Sequence, residues 1–247
     1  MDAPSDAFSD TGIDYTSGLI TLIGPMSPEE ASRAMVANAI RCRYLSAGVP
    51  ELYDLFKDAL GPGIPDSSLQ VPFGHGHGLS TCGLFAEHMH GLIGVNDERL
   101  FDPYAPRKAT DYAVARLVDY SSRMSAWMPA STAFVREHGG LPSAGDVVII
   151  GCHGAVEDYG GIEHELIVAK KNKDGSVWCI EAGQVDTANG GLQCVKVVAR
   201  TFELVNGKLW CRTLGSTKPG RRVLGWACTA HLELRNEHTV PMGWQNA

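Results

Sequence analysis

The chain has 247 residues, of which 44% are hydrophobic and 20% are charged, and its formal net charge at pH 7 is −7. This balance is typical of a globular protein that buries a sizeable core. The acidic excess, without a basic stripe, argues against a nucleic-acid partner, and no apolar run approaches the length of a membrane span.

The beginning of the chain predicts a loose segment ahead of one domain. Residues 1–18 are rich in Asp, Ser, Gly and Ala and indicate a flexible acidic lead-in. No composition shift marks a linker in residues 19–247, which predicts a single domain. The apolar run at residues 19–23 is too short for a signal-peptide core and follows acidic residues. We therefore expect synthesis in the cytoplasm, with lysis or dedicated secretion needed for action elsewhere.

The first half of the chain has mainly helical periodicity. Ser27, Pro28 and Glu30 form a strong helix start, with a cap, a proline at the first helical position and a glutamate placed for a capping box. Apolar spacing indicates further helices. The predicted helical ranges are 27–45, 50–60, 110–127 and 131–138.

Residues 79–90 indicate a loop that turns abruptly into a helix, with one cysteine at the turn. Ser80 or Thr81 can cap this helix, which places Cys82 in its first turn. Unpaired backbone N–H groups and the positive end of the helix dipole stabilise a thiolate there and make a cysteine nucleophilic. The alternative is a buried thiol that packs as a small apolar residue.

After residue 140 the hydrophobic period changes from that of a helix to that of a strand. Asn206 and Gly207 form a hairpin signal within this region. Helices followed by antiparallel strands predict an α+β domain with the helical layer packed on an antiparallel sheet. The predicted strands cover residues 146–151, 164–171, 177–182, 192–205, 209–213 and 222–234.

His164 opens one predicted strand and Glu181 closes the next. The turn at residues 172–175 places His164 opposite residue 183 or 185, and in either register Glu181 shares its sheet face. A carboxylate within diagonal reach can fix the imidazole tautomer, and an imidazole held in this way can activate a thiol. Cys82, His164 and Glu181 are therefore the candidate catalytic residues, the alternative being a coincidental pairing of a strand histidine with a hairpin glutamate.

The remaining cysteines and histidines do not predict a metal centre. The seven cysteines contain no C-x-x-C pair, and a reduced compartment is the simplest expectation. His88 and His90 lie two apart on a helix and do not share a face. His75 and His77 lie in a glycine-rich loop expected to line the cleft, where they bind substrate or are merely solvated. We expect no metal and no cofactor.

The order of these motifs resembles the NlpC/P60 and CHAP group of papain-like cysteine peptidases. The resemblance covers about residues 75–185, and the N-terminal helical part and the strands after residue 192 look like extensions. Gly83 stands where many members carry serine. The insertion between the Cys82 helix and the turn at Gly145 is longer than is usual in this group. The similar segments are Ser80-Thr81-Cys82-Gly83, Pro142-Ser143-Ala144-Gly145-Asp146-Val147-Val148, Glu163-His164-Glu165-Leu166-Ile167-Val168 and Ile180-Glu181-Ala182-Gly183.

The resemblance implies a papain-like NlpC/P60 core in which Cys82 attacks a peptide or amide carbonyl. His164 would take and return the proton, Glu181 would orient His164, and the Cys82 N–H is a candidate oxyanion donor. His75, His77 and Gly83 are the expected substrate-binding residues.

Members of this group mostly cut bacterial cell-wall peptides, or the amide that joins peptide to sugar. The resemblance therefore implies a peptidoglycan peptide as substrate, and a phage lytic enzyme or a secreted amidase toxin that acts in the periplasm or cell wall. In the toxin case an immunity or delivery protein is an expected partner. Two alternatives stay open: a papain-like effector acting on a protein, as protease or deamidase, and a non-catalytic binding protein of the same fold.

Overall fold

A computed structural model of the chain describes residues 27–42, 81–94, 126–131, 135, 140–153, 164–189 and 192–232. Within these ranges helices lie against antiparallel strands, which confirms the α+β class. The helices are α1 (Pro28–Arg41) and α2 (Thr81–Leu92), with short 3-10 helices at Thr187–Asn189 and Thr229–His231. The strands are β1 (Trp127–Pro129), β2 (Val147–His153), β3 (His164–Lys171), β4 (Val177–Asp186), β5 (Leu192–Val205), β6 (Lys208–Thr213) and β7 (Arg221–Ala227).

The antiparallel sheet closes into a six-stranded barrel, a feature that the predicted sheet lacked. The strands are hydrogen-bonded in the order β7-β2-β3-β4-β5-β6, and β6 pairs again with β7. One edge of β7 is shared between two strands. Its first residues, Arg221 and Arg222, pair with β6 and close the barrel, and its last residues pair with the short strand β1. Because strand alternation shows which face is apolar but not which strands meet at the edges, closure could not be deduced from the pattern.

Alternate apolar side chains from the barrel strands form one core. Strand β3 is buried on both faces, since Leu166 and Val168 belong to this core while Ile167, between them, is only 1% exposed. Helices α1 and α2 pack on β3, and α2 also packs on β4. The core side chains include Val148, Ile150, Leu166, Val168, Val177, Cys179, Leu209, Cys211, Val223 and Trp226.

The predicted capping box is present at the start of α1. The Ser27 N–H donates to Glu30 Oε2 at 2.8 Å, and the Glu30 N–H donates to Ser27 Oγ at 3.2 Å. The helix ends at Arg41, with Cys42 as its C-cap, rather than at residue 45. It approaches the barrel at Gly145, where a Cβ would lie 2.9 Å from the Ser32 Cα and where φ is +94°, so only glycine fits without strain.

Several predicted boundaries differ from the structure. Trp127, predicted as the end of a helix, begins β1 and pairs with Ala227, because cross-strand packing outweighs local helical spacing. Strand β7 ends at Ala227 instead of residue 234 and is followed by a 3-10 helix, while β4 continues past Glu181 to Asp186. In the helix predicted at residues 131–138, Val135 is helical and its N–H donates to Ser131 O at 3.0 Å, while Ser131 itself is bridged to Lys208 of β6.

Other predictions lie outside the described residues. These are the acidic lead-in at residues 1–18, the helix at 50–60 and all but the end of the helix at 110–127. Among the described residues, none of the helices has both the length and the apolar character needed to cross a bilayer.

Candidate active site

The three residues proposed for catalysis meet where α2 packs on β3 and β4. Cys82 is the second residue of α2, as its position in the sequence predicted. Its thiol is hydrogen-bonded to the ring of His164, whose Nε2 lies 2.9 Å from Glu181 Oε2. All three side chains are buried, with residue exposures of 5% for Cys82, 7% for His164 and 0% for Glu181. The contacts that a thiol, a base and an orienting group require are therefore formed.

The register of β3 and β4 next to the turn is neither of the two predicted. Lys170 pairs with Trp178, which in regular strands would set His164 opposite residue 184. A bulge between Val168 and Lys170 then shifts the pairing by one residue. The predicted contact between His164 and Glu181 is formed, but it depends on this bulge, which strand alternation alone did not predict.

A bulge in β4 brings a fourth polar side chain to His164. Glu181 pairs with Lys196 of β5 but Gln184 pairs with Cys194, so β4 carries one extra residue between them. Gly183 occupies that interval with φ +70°. Because residues three apart in a regular strand point to opposite faces, the bulge is what puts Glu181 and Gln184 on one side. The Gln184 Nε2 lies 3.1 Å from Glu181 Oε2 and 3.2 Å from His164 Nε2.

Arg200 is the functional residue that sequence reasoning missed. It lies in β5 with only 7% of its surface exposed and donates from Nε to Glu181 Oε1 at 2.7 Å and from Nη2 to Oε2 at 2.6 Å. Its Nη1 donates to Thr213 Oγ1 at 2.6 Å. The available signal was an arginine in a strand pattern that also contains Lys196 and Glu203, so nothing singled it out. Its partner could not be inferred, because the register of β5 was unknown.

The charges of this cluster alternate and stabilise one another. Burial alone would raise the pKa of Glu181, but the Arg200 guanidinium and the His164 hydrogen bond lower that pKa to about 2. Burial would likewise lower the pKa of His164, but its bonds to Cys82 and Glu181 raise it to about 9. At neutral pH the site therefore holds an ionised carboxylate between two cations, the Arg200 guanidinium and the His164 imidazolium.

This arrangement favours proton exchange between His164 and the thiol. Nε2 of His164 is occupied by its bond to Glu181, which leaves Nδ1 as the ring nitrogen that can exchange a proton with Cys82. Because Cys82 lies in the first turn of α2, its backbone N–H is among those that the helix's own hydrogen bonds do not use. The cluster can therefore supply a nucleophile, a proton carrier, an orienting carboxylate and a candidate oxyanion donor.

The other residues named from the sequence have different standings. Gly83 is buried in α2 next to Cys82, while His75 and His77 lie outside the described residues, so a role in substrate binding stays a prediction for all three. His88 and His90 are buried, and burial lowers the pKa of each to about 3, so both are neutral at physiological pH. Within the ranges that the structure covers, no three His, Cys, Asp or Glu side chains are grouped to hold a metal ion.

None of the described cysteine side chains forms a disulfide. Cys179 and Cys194 are both buried in their strands. Burial raises the pKa of Cys42 and that of Cys211 to about 12, so neither is nucleophilic near neutral pH.

Comparison of the chain with protein-family models, curated proteins and solved structures gave no match. The assignment of a function therefore depends on the geometry of the cluster and on the sequence resemblance.

Proposed function

We propose that the protein is a cysteine hydrolase that cleaves peptide or amide bonds, with Cys82 as nucleophile. The observation that carries this proposal is that the His164 ring is hydrogen-bonded both to the Cys82 thiol and, through Nε2, to Glu181. The buried Glu181 carboxylate, held ionised by Arg200, can stabilise the imidazolium that a thiolate needs beside it.

The reaction follows from the positions of these groups. The Cys82 thiolate attacks the carbonyl carbon, and the Cys82 N–H is placed to stabilise the negative charge that develops on the oxygen. His164 gives its proton to the leaving amine as the C–N bond breaks, which leaves a thioester on Cys82. His164 then takes a proton from water, which attacks the thioester and releases the acid. Glu181 keeps the ring oriented through both steps.

The substrate that we propose is a peptide of bacterial peptidoglycan. Support comes from the resemblance of the Cys82, Gly145 and His164 segments to the NlpC/P60 and CHAP peptidases. On this proposal the protein acts in the periplasm or cell wall, as a phage lytic enzyme or as a secreted toxin.

The test is incubation of the purified protein with peptidoglycan fragments, followed by mass analysis of the products. The wild type should release fragments that differ by a hydrolysed peptide or amide bond, and Cys82→Ala should release none. Cys42→Ala is the matched control, because it also removes a buried thiol but lies at the end of α1, outside the cluster.

Equal product release by Cys82→Ala and the wild type would refute the nucleophile. Cleavage of added proteins but not of peptidoglycan would keep the cysteine hydrolase and replace its substrate.

A further inference from the structure

A polar cavity of about 240 Å³ adjoins the catalytic cluster at one end of the barrel. Its lining contains three cations and several hydrogen-bonding side chains, and none of the described residues that line it is acidic. The lining residues that matter here are Gln184, Arg200, Thr213, Ser216, Lys218 and Arg221.

The cavity shares residues with the active site. Gln184 lines it and also lies 3.2 Å from His164 Nε2, while Arg200 lines it and binds Glu181. Arg221 also interacts electrostatically with both Glu181 and Cys82. An occupant of the cavity would therefore be next to the side chains that contact His164 and Glu181.

The charges of the cavity do not cancel. Glu181 forms two hydrogen bonds with Arg200 and balances its charge, so Lys218 and Arg221 leave the lining positive. The Arg221 guanidinium is held in place by donation to the carbonyl oxygens of Gly151 and Ile150. Thr213 Oγ1 accepts from Arg200, which leaves its O–H available as a donor. Fixed donors around a positive space are what a small anion requires.

We propose that this cavity is a subsite for a carboxylate on the substrate. The proposal rests on the proposed hydrolase function, because a peptide substrate supplies carboxylates rather than phosphates. The carboxylate would lie beside the Nε2 edge of His164, where Gln184 lies, and not at Nδ1, the nitrogen that gives its proton to the leaving amine. The chain would then prefer peptides with a free carboxylate close to the cleaved bond.

The first experiment measures binding without catalysis. In the Cys82→Ala variant, succinate should raise the thermal unfolding midpoint in a saturable way, whereas succinamide, its neutral counterpart, should not. Lys218→Glu should abolish the succinate effect. Lys173→Glu, a matched reversal in the exposed turn between β3 and β4, should preserve it.

Equal stabilisation by succinamide, or an unchanged succinate effect in Lys218→Glu, would overturn the subsite. Tighter binding of inorganic phosphate than of succinate would overturn the carboxylate assignment.

The second experiment measures selectivity in turnover. Peptide substrates ending in a free carboxylate should be cleaved with kcat/KM greater by on the order of 10- to 100-fold than their carboxamides, the range of a charge-assisted hydrogen bond. Lys218→Glu should remove that preference mainly through KM. Equal cleavage of acid and amide would refute the subsite. Cleavage of neither would refute the hydrolase function, while the binding experiment would still decide whether the cavity takes a carboxylate.

Discussion

Glu181→Gln separates the proposed catalytic role of the carboxylate from its structural role, because Glu181 contacts both His164 and Arg200. Glutamine has nearly the same shape and can still accept a hydrogen bond, but it carries no charge. The variant leaves Arg200 buried without its counter-charge, at 7% exposure. Removing one partner of a buried ion pair costs about 3–5 kcal/mol of unfolding free energy.

The double variant Glu181→Gln/Arg200→Met should recover most of that stability and none of the activity. Replacing a buried ion pair with groups of similar volume is often nearly neutral, because both desolvation costs disappear. The His164 ring still lacks its carboxylate, so its pKa should fall from about 9 towards the ordinary value of 6.5. We expect both variants to lose about 10- to 1000-fold in kcat, less than a serine enzyme loses, because a thiol ionises more readily.

The assay combines denaturant unfolding with a pH–rate profile. The matched control is Glu203→Gln/Arg212→Met, which removes an exposed ion pair of 3.3 Å and should show a coupling of about 0–1 kcal/mol. If the coupling free energy of unfolding between Glu181 and Arg200 is no larger than that of the control pair, the structural role of the buried ion pair is refuted. If the alkaline limb of the pH–rate profile has the same apparent pKa in Glu181→Gln as in the wild type, the proposal that Glu181 keeps His164 charged is refuted.

His164 and Glu181 set the pH dependence of stability, because folding shifts the pKa of each. The pKa of His164 is raised in the folded state, so its stabilisation is complete below pH 6.5 and is lost as pH rises through about 9. The pKa of Glu181 is lowered, so its stabilisation is complete above pH 4.5 and is lost as pH falls through about 2. The wild type should exceed the double variant in stability most clearly between pH 4.5 and 6.5. A pH-independent difference would contradict this assignment.

Two further predictions test the position of α1 and the nucleophile. Gly145→Ala should lower the free energy of unfolding by about 2 kcal/mol or more, as measured with denaturant, because it adds a clash with Ser32 to an unfavourable φ. Gly175 has a similar φ but open space around it, so Gly175→Ala isolates the contribution of φ and should cost less. Iodoacetamide near pH 7, followed by mass mapping, should modify Cys82 before the more exposed Cys228, because burial raises the pKa of Cys228 to about 11. Equal costs for the two glycines, or earlier labelling of Cys228, would contradict these assignments.

The elements that could be predicted depend on local chemistry. Ser27 and Glu30 form a capping box from residues three apart, and Cys82 lies in the first turn of a helix that its neighbours define. His164 and Glu181 flank a short turn, and their contact was predicted, although it is a bulge between Val168 and Lys170 that brings them onto one face. In each case the information lay within about twenty residues.

The elements that could not be predicted depend on distant strands or on local irregularity. Barrel closure joins β6 to β7, and no periodicity encodes that choice. Arg200 reaches Glu181 from β5, where it lies four residues beyond Lys196, the residue that pairs with Glu181. Gln184 joins the cluster only through the bulge at Gly183, which reverses the face expected for a residue three positions after Glu181.

The buried arginine explains why a glutamate can work at this position. A carboxyl group with no exposed surface would normally hold its proton, and a neutral acid stabilises an imidazolium poorly. Arg200 reverses this preference through two hydrogen bonds, so Glu181 is ionised and its charge acts on His164. In the proposed mechanism Cys82 is a thiolate, so the signs would alternate along the cluster and its net charge would be zero. That neutrality would lower the cost of burying four charged groups, so a change to any one of them should alter both the stability of the barrel and the reactivity of the thiol.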